Sequence, residues 1–258
     1  MLRKFEYSWQ FFKRSLWLIL PIVGIGMAES RLSTQRCTNL IISIEGDSGA
    51  HFLNQTDVQM LLTENGGYKL MGSRLDDVDL NDLESRLRKN KLIKKCQVFR
   101  DLRGNIVVEV EQERPLARWI NTSNEGEWRN SDGYYINDDG GFFPLSESFS
   151  ARTLLVSGAL FHDSKRLKTE NGQLVMNLIR FLNTDPFWKA QVAQLDANKD
   201  GEVTLMTVIG DQKIEFGTAE RFEEKFKKLR LFYQKVQSQD WSRYSRISIK
   251  FQDQIVCE

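Results

Sequence analysis

Residues 96–110 run Cys96-Gln97-Val98-Phe99-Arg100-Asp101-Leu102-Arg103-Gly104-Asn105-Ile106-Val107-Val108-Glu109-Val110. The second half alternates. Ile106, Val108 and Val110 fall on one side of an extended chain, and Val107, Glu109 and Glu111 on the other, the period of a strand with one buried face. Cys96 to Arg100 reads as its partner strand, leading into a turn at Asp101-Leu102-Arg103-Gly104. A lone hairpin is marginal in water, so this apolar face needs cover, and the cover stands upstream. Thr56-Asp57-Val58-Gln59 has the spacing of a capping box and opens a helix that carries Val58, Leu61 and Leu62 and stops at Gly66-Gly67. Asp79 opens a second helix. Val78 and Leu83 are spaced as a hydrophobic staple, and Leu80, Leu83 and Leu87 share one face. Leu40-Ile41-Ile42-Ser43-Ile44 supplies a further strand, so the order is β-α-α-β-β over residues 39–118.

Pro115 closes that unit. Downstream, Trp119 to Thr122, Gly133 to Ile136, Gly141 to Phe143 and Thr153 to Val156 read as short strands, the middle two joined through Asn137-Asp138-Asp139-Gly140. A helix over 169–183 places Leu174, Leu178, Phe181 and Leu182 inward. Val192 to Leu195 and Val203 to Val208 form a hairpin across Asn198-Lys199-Asp200-Gly201, and Lys213 to Phe216 adds a strand. A long helix over 219–236 carries Phe222, Phe226, Leu229, Tyr233 and Val236 on one stripe. Arg246 to Phe251 and Gln254 to Cys257 end the sequence as strands. The fold class is α+β: a compact β-α-α-β-β unit, then a mixed sheet with helices packed on it.

The N-terminus differs from this body. Residues 1–28 hold Arg3, Lys4, Lys13 and Arg14 against Glu6, and Ser15 to Ala28 is an uncharged, mostly apolar run. As a helix, that run spans roughly 21 Å of a ~30 Å hydrocarbon core. Counting from Phe11 gives about 27 Å, with Lys13 and Arg14 snorkelling to the headgroups. The segment is expected to be a single-pass membrane helix over residues 11–28 with a cytoplasmic basic tail, which places the body outside the cytoplasm. Gly26 and Ala28 also suit a signal peptide cut before Glu29, and a buried soluble helix is the third reading. The expected layout is therefore residues 1–28 as tail and anchor, 29–38 as linker, 39–118 as the first domain and 119–258 as the second.

Chemistry is sparse. Lys+Arg is 36 and Asp+Glu 35, a net charge of +1 that argues against a nucleic-acid partner. Two His and three Cys without close metal-ligand spacing leave no evident metal centre or cofactor site. Asp196-Ala197-Asn198-Lys199-Asp200-Gly201 opens like a calcium loop, but Thr207 stands where the bidentate Glu is required, so the segment reads as a hairpin turn. His51 and His162 sit in polar stretches with no nucleophile beside them. Cys37 and Cys96 are read as buried small hydrophobes, with a disulfide between them as the alternative in an oxidising compartment.

Leu83-Glu84-x-x-Leu87-x-Lys89-Asn90-x-x-Ile93, Cys96-Gln97-Val98-Phe99-Arg100-Asp101 and Asn105 to Trp119, with Glu113-Arg114-Pro115-Leu116-Ala117, resemble the POTRA domain of the bacterial cell-division family FtsQ/DivIB. Tyr135-Ile136-Asn137-Asp138-Asp139-Gly140 resembles the strand-turn signature that follows it, and Tyr244 to Phe251 resembles the family's terminal strand. The Asp101–Gly104 turn resembles the Bacteroidetes-type variant. The resemblance implies a non-enzymatic scaffold in the inner membrane, with its body in the periplasm, whose second domain recruits the FtsB and FtsL division proteins. From the residues, the alternation of Ile247, Ile249 and Phe251 with Ser248 and Lys250 marks a strand at the end of the sequence. If it lies at the sheet edge, its free backbone groups form a pairing template. The expected partner-binding residues are accordingly Ile247, Ile249, Phe251, Ile255, Val256 and Cys257, against the alternative that this strand is internal. An exported, membrane-anchored cell-envelope enzyme or enzyme activator is the competing function.

Overall fold

The computed structural model describes residues 35–45, 51–121, 133–146, 148–237, 243–252 and 254–258. The expected anchor over residues 11–28 lies outside them, and among the described residues no helix is long and apolar enough to cross a membrane. The chain divides into two units: Met1–Glu45 with Leu53–Gln112, and Gly46–Phe52 with Glu113–Glu258.

The first unit contains β1 (Leu40–Glu45), α1 (Gln55–Thr63), α2 (Leu80–Arg88), β2 (Ile93–Arg100) and β3 (Ile106–Gln112), with sheet order β1-β3-β2. β3 is central. It pairs parallel to β1, Leu40 opposite Ile106, and antiparallel to β2, Val98 opposite Val108. Ile106, Val108 and Val110 are fully buried, as their alternation requires, and pack with Val58, Leu62, Leu83 and Leu87. The β2–β3 turn is held by Asp101, whose carboxylate accepts from the Arg103 and Asn105 amides and from Asn105 Nδ2. The Asn105 amide leads the bonds that hold the Asp101 carboxyl below its ordinary pKa. The α1 cap lies two residues earlier than the sequence spacing indicates. Asn54 is the N-cap, accepting from the Asp57 amide, while Asp57 accepts from the Asn54 amide. α1 also ends before the glycines, at Glu64 in the left-handed region. Cys37 and Cys96 are free, buried thiols in this core, so the disulfide alternative is not formed.

The second unit is built on a nine-stranded sheet among the described residues. Its strands are β4 (Ala117–Trp119), β5 (Tyr134–Ile136), β6 (Phe142–Pro144), β7 (Leu154–Ser157), β8 (Val192–Ala197), β9 (Glu202–Thr207), β10 (Lys213–Thr218), β11 (Arg246–Ser248) and β12 (Val256–Cys257). Their order is β12-β11-β10-β9-β8-β7-β4-β5-β6. Three pairs are parallel: β4–β7, whose connection passes through β5 and β6, and β7–β8 and β10–β11, which are joined by helical crossovers. The first crossover carries α3 (Ser164–Leu167), α4 (Glu170–Thr184) and α5 (Pro186–Gln191); the second carries α6 (Phe222–Phe232). Both crossovers cover the same sheet face, because Phe226 of α6 stands 5.1 Å from Phe181, 4.6 Å from Trp188 and 5.0 Å from Phe216, between ring centroids. The opposite face carries the row Ser157, Asp196, Thr204, Glu215, Ser248, Val256, which follows from the pairing register and makes that face mostly polar. Phe52 belongs to this unit, against Tyr135, Phe143 and Phe149.

Phe226 joins both crossovers to the sheet and is 1% exposed. Phe226→Ala should lower the stability of the second unit by about 3–5 kcal/mol, read as an earlier urea midpoint for its unfolding. An unshifted midpoint would show that the two crossovers do not rely on this ring.

Candidate partner-binding edge

Parallel pairing of β11 with β10 sets Ile214 opposite Ile247 and Glu215 opposite Ser248. The chain then turns and returns as β12, antiparallel to β11, Ile247 opposite Cys257 and Ser248 opposite Val256. β11 therefore has a neighbour on each side, and the expectation that the strand beginning at Arg246 forms the edge is corrected: the edge is β12. The physical reason is burial. Ile247 and Ile249 are 0% exposed and belong to the core, and a strand carrying both belongs inside the sheet.

The six expected contact residues thus separate. Ile247 and Ile249 are unavailable to a partner through their side chains. Ile255 and Cys257 pack partly against the core from β12 and the residue before it. Phe251 and Val256 are exposed, at 52% and 41%.

Backbone direction follows from the ladder. Arg246 and Glu258 exchange both bonds, the Arg246 amide to the Glu258 carbonyl at 3.1 Å and the Glu258 amide to the Arg246 carbonyl at 2.9 Å. In an antiparallel pair such residues alternate with non-bonded ones. Val256 and Glu258 therefore turn their backbone groups toward β11, whereas Ile255 and Cys257 turn theirs to the open side.

Two side-chain devices hold this short strand in place. Lys228 of α6 donates from Nζ to the carbonyls of Phe251, Gln252 (3.2 Å) and Gln254 (3.3 Å), gathering the β11–β12 turn around one ammonium. One helical turn earlier, Lys225 does the same for the carbonyls of Phe216 (3.1 Å) and Thr218 (2.7 Å) at the end of β10. On the open face, Arg246 bridges Glu215 (2.7 Å) and Glu258 (2.8 Å), tying the C-terminal residue across β11 to β10. The hydrogen bond from Arg246 leads the interactions that hold the Glu215 carboxyl below its ordinary pKa. The sequence reading missed Lys228 and Glu215. A lysine that collects carbonyls from a distant turn has no spacing signature, and the neighbouring run Glu223-Glu224-Lys225 has the composition of a solvated face.

The remaining candidates are taken up locally. Asp196 accepts from Ser157 Oγ at 2.6 Å, Asn198 Oδ1 accepts from the Asp200 and Glu202 amides, and Thr207 Oγ1 donates to the Ile209 carbonyl. The calcium-like run is the β8–β9 hairpin, with Gly201 at φ +83°. His51 and His162 are exposed. Among the described residues no group of three His, Cys, Asp or Glu side chains is placed to hold a metal ion.

With this geometry, the comparisons with known proteins are decisive for family. The family model described as FtsQ/DivIB, C-terminal related, matches residues 128–258, just over half of the chain. The chain belongs to the FtsQ/DivIB family. A POTRA-like domain model matches residues 35–111. No curated protein matches the chain. FtsQ/DivIB proteins are cell-division proteins, and in this member the POTRA-like unit precedes the family's C-terminal sheet, whose last strand is β12.

Two outcomes test the devices at β12. Lys228→Met keeps the aliphatic stem and removes the ammonium. The amides of Val256 and Glu258 should then exchange about tenfold faster, given ~0.5–1.5 kcal/mol for each lost bond, while β8 and β9 amides stay unchanged. Equal exchange would show that the turn stands without Lys228. The Arg246–Glu215 pair gives a pH dependence. A carboxyl with a depressed folded pKa contributes stability above its unfolded value, here near 4.5, and that contribution is lost as pH falls through the lower folded value. The urea stability of the second unit should hold constant from neutral pH down to about 5 and fall below that, and Glu215→Gln should make the fall smaller. A transition at neutral pH would assign the response to another group.

Proposed function

We propose that this FtsQ/DivIB-family chain is a non-enzymatic scaffold of the division apparatus that takes up FtsB and FtsL through its second domain and so couples septum assembly to peptidoglycan synthesis. The observation that carries this reading is the β12 edge, where Ile255 and Cys257 present outward backbone donors and acceptors that an extended partner segment can pair with by strand addition. The opposite end of the sheet is a poorer template, because β6 contains Pro144 and so lacks a donor there. The family also supports the wider layout: residues 1–28 as cytoplasmic tail and anchor, 29–38 as linker, 39–118 as POTRA domain and 119–258 as the β domain. In that arrangement residues 11–28 hold the chain in the cytoplasmic membrane with its body in the periplasm, and the partner surface comprises Phe251, Ile255, Val256 and Cys257, backed by Ile247 and Ile249.

The direction of the backbone groups selects the test. Cys257→Pro removes an outward N–H and leaves the inward ladder groups of Val256 and Glu258 in place. Affinity for an FtsB peptide, measured by calorimetry on the full chain in detergent, should fall about tenfold with an unchanged thermal midpoint. Val256→Pro strikes an inward donor and should instead loosen the β11–β12 hairpin itself. Unchanged affinity in Cys257→Pro would place the partner elsewhere.

A further inference from the structure

The second unit holds a cleft of 720 Å³ whose wall includes Arg114, Arg152 and Lys189, within the range of about 300–1,000 Å³ that ligand sites occupy. It adjoins a second cleft of 450 Å³ through shared residues 151–153, Asn183 and Lys189, and the second adds Arg118, Leu182 and Trp188. Together they form one groove beside β4, β7 and α5.

Its charge is one-sided. Arg86, Arg88, Arg180, Arg230 and Arg246 each hold a carboxylate within 4 Å. By contrast, the side chains of Arg114, Arg152 and Lys189 make no ion pair or hydrogen bond among the described residues. Among the described residues, the one carboxylate on the wall, Asp138, faces Arg180 at 3.8 Å, and the Asp138 carbonyl also accepts from Arg180. The frame that carries the cations is fixed. The Leu116 carbonyl accepts from both Thr153 Oγ1 and Asn183 Nδ2 at 2.8 Å, which ties the segment bearing Arg114, the segment bearing Arg152 and the end of α4 to one atom. Asp185 then caps α5, which bears Lys189, by accepting from the Phe187 and Trp188 amides.

We propose that this groove is a second docking site, for an acidic peptide segment of a partner protein. The cations stand on three separate segments of the chain along two continuous clefts, with the partly exposed Phe149, Ala151 and Leu155 between or beside them. A chain that alternates carboxylates with apolar side chains fills such a groove, while a compact anion engages one end of it. Guanidinium groups suit carboxylates because they offer a planar fork of donors. The site shares no residue with β12, so it stands whether or not the strand-addition reading does.

The probe is a fluorescein-labelled octapeptide of alternating Glu and Leu, titrated by anisotropy against the full chain in detergent micelles. Its Gln-for-Glu counterpart and inorganic pyrophosphate serve as comparison ligands. The acidic peptide should bind, the Gln peptide should not, and binding should weaken as salt rises through the Debye regime. The triple variant Arg114→Gln, Arg152→Gln, Lys189→Gln should lose about tenfold in affinity. The control triple Lys165→Gln, Lys168→Gln, Lys199→Gln, which makes the same charge change outside the groove, should bind as the parent does. Equal loss in both triples would reduce the effect to net charge and overturn the site. No binding of the acidic peptide at low salt would do the same. Pyrophosphate binding tighter than the peptide, with the same dependence on the three cations, would overturn the peptide assignment in favour of a phosphate ligand.

Discussion

Two parallel neighbours in a sheet cannot be joined by a turn, and the C-terminal half of this protein depends on that constraint. β10 and β11 run parallel, so the chain between them must leave the sheet, cross one face and return. The helix that makes the crossing, α6, then has two duties. Its apolar stripe places Phe226 and Leu229 in the core, and its lysines stay above that stripe. Lys225 and Lys228 are three residues apart and so lie on one side of the helix, where they meet the ends of the strands that the crossover joins. The same geometry that buries the helix therefore delivers two ammonium groups to carbonyls the sheet ladder leaves unused. A two-residue strand makes too few ladder bonds to hold its own position, so β12 exists because α6 crosses where it does.

Placing the free edge at β12 has a cost that the rest of the molecule manages. A sheet that does not close has two ends, each a template for unwanted pairing. In the large sheet, β6 is three residues long and carries Pro144. In the POTRA-like sheet, the outer strand β2 carries Lys94 and Lys95, both opposite Glu111 across the ladder. β12 is short as well, but Ile255, Val256 and Cys257 are neither charged nor proline. Both edges of the large sheet among the described residues carry apolar side chains, Phe142 and Phe143 on β6 and Ile255 to Cys257 at β12, but β12 has no proline to remove a donor, the combination that suits recognition rather than avoidance.

Legibility in the sequence followed the range of the interactions. Elements set by local chemistry stood close to where the pattern placed them: the alternation of Ile106, Val108 and Val110, the helix opened by Asp79, and the hairpin at Asn198–Gly201. The α1 cap went to Asn54 instead of Thr56 because both residues can cap, and only the Asp57 carboxylate, positioned by the fold, decides between them. Strand order was illegible for a different reason. Alternation in Ile247 and Ile249 reports burial of one face and carries no information about neighbours on either side, so an internal strand and an edge strand give the same pattern. Lys228 and Glu215 stand further still from any local pattern, since their partners lie on other elements, and the groove cations come together only because the sheet and its crossover bring separate segments side by side.

The two surfaces of the second unit lie at separate places in one sheet, and their spacing limits how they can be used. β12 and β7 are five strand positions apart, roughly 24 Å at ~4.8 Å per step. A single partner chain that paired with β12 and also reached the groove would need about seven or eight extended residues between the two segments. A shorter partner cannot engage both, so the surfaces would serve two chains at once. Neither surface obstructs the other, because the groove draws on β4, β7 and the end of α5 while β12 draws on β11 and the turn under α6. The strands between them, β8 to β10, bury Leu195, Val203, Leu205, Ile214 and Phe216 under the helices as one close-packed unit. Occupation of one surface is then transmitted to the other chiefly through the partners themselves: a connecting segment of sufficient length makes the second contact intramolecular and raises its effective concentration. This is how a scaffold without a moving part can favour a complete assembly over a partial one.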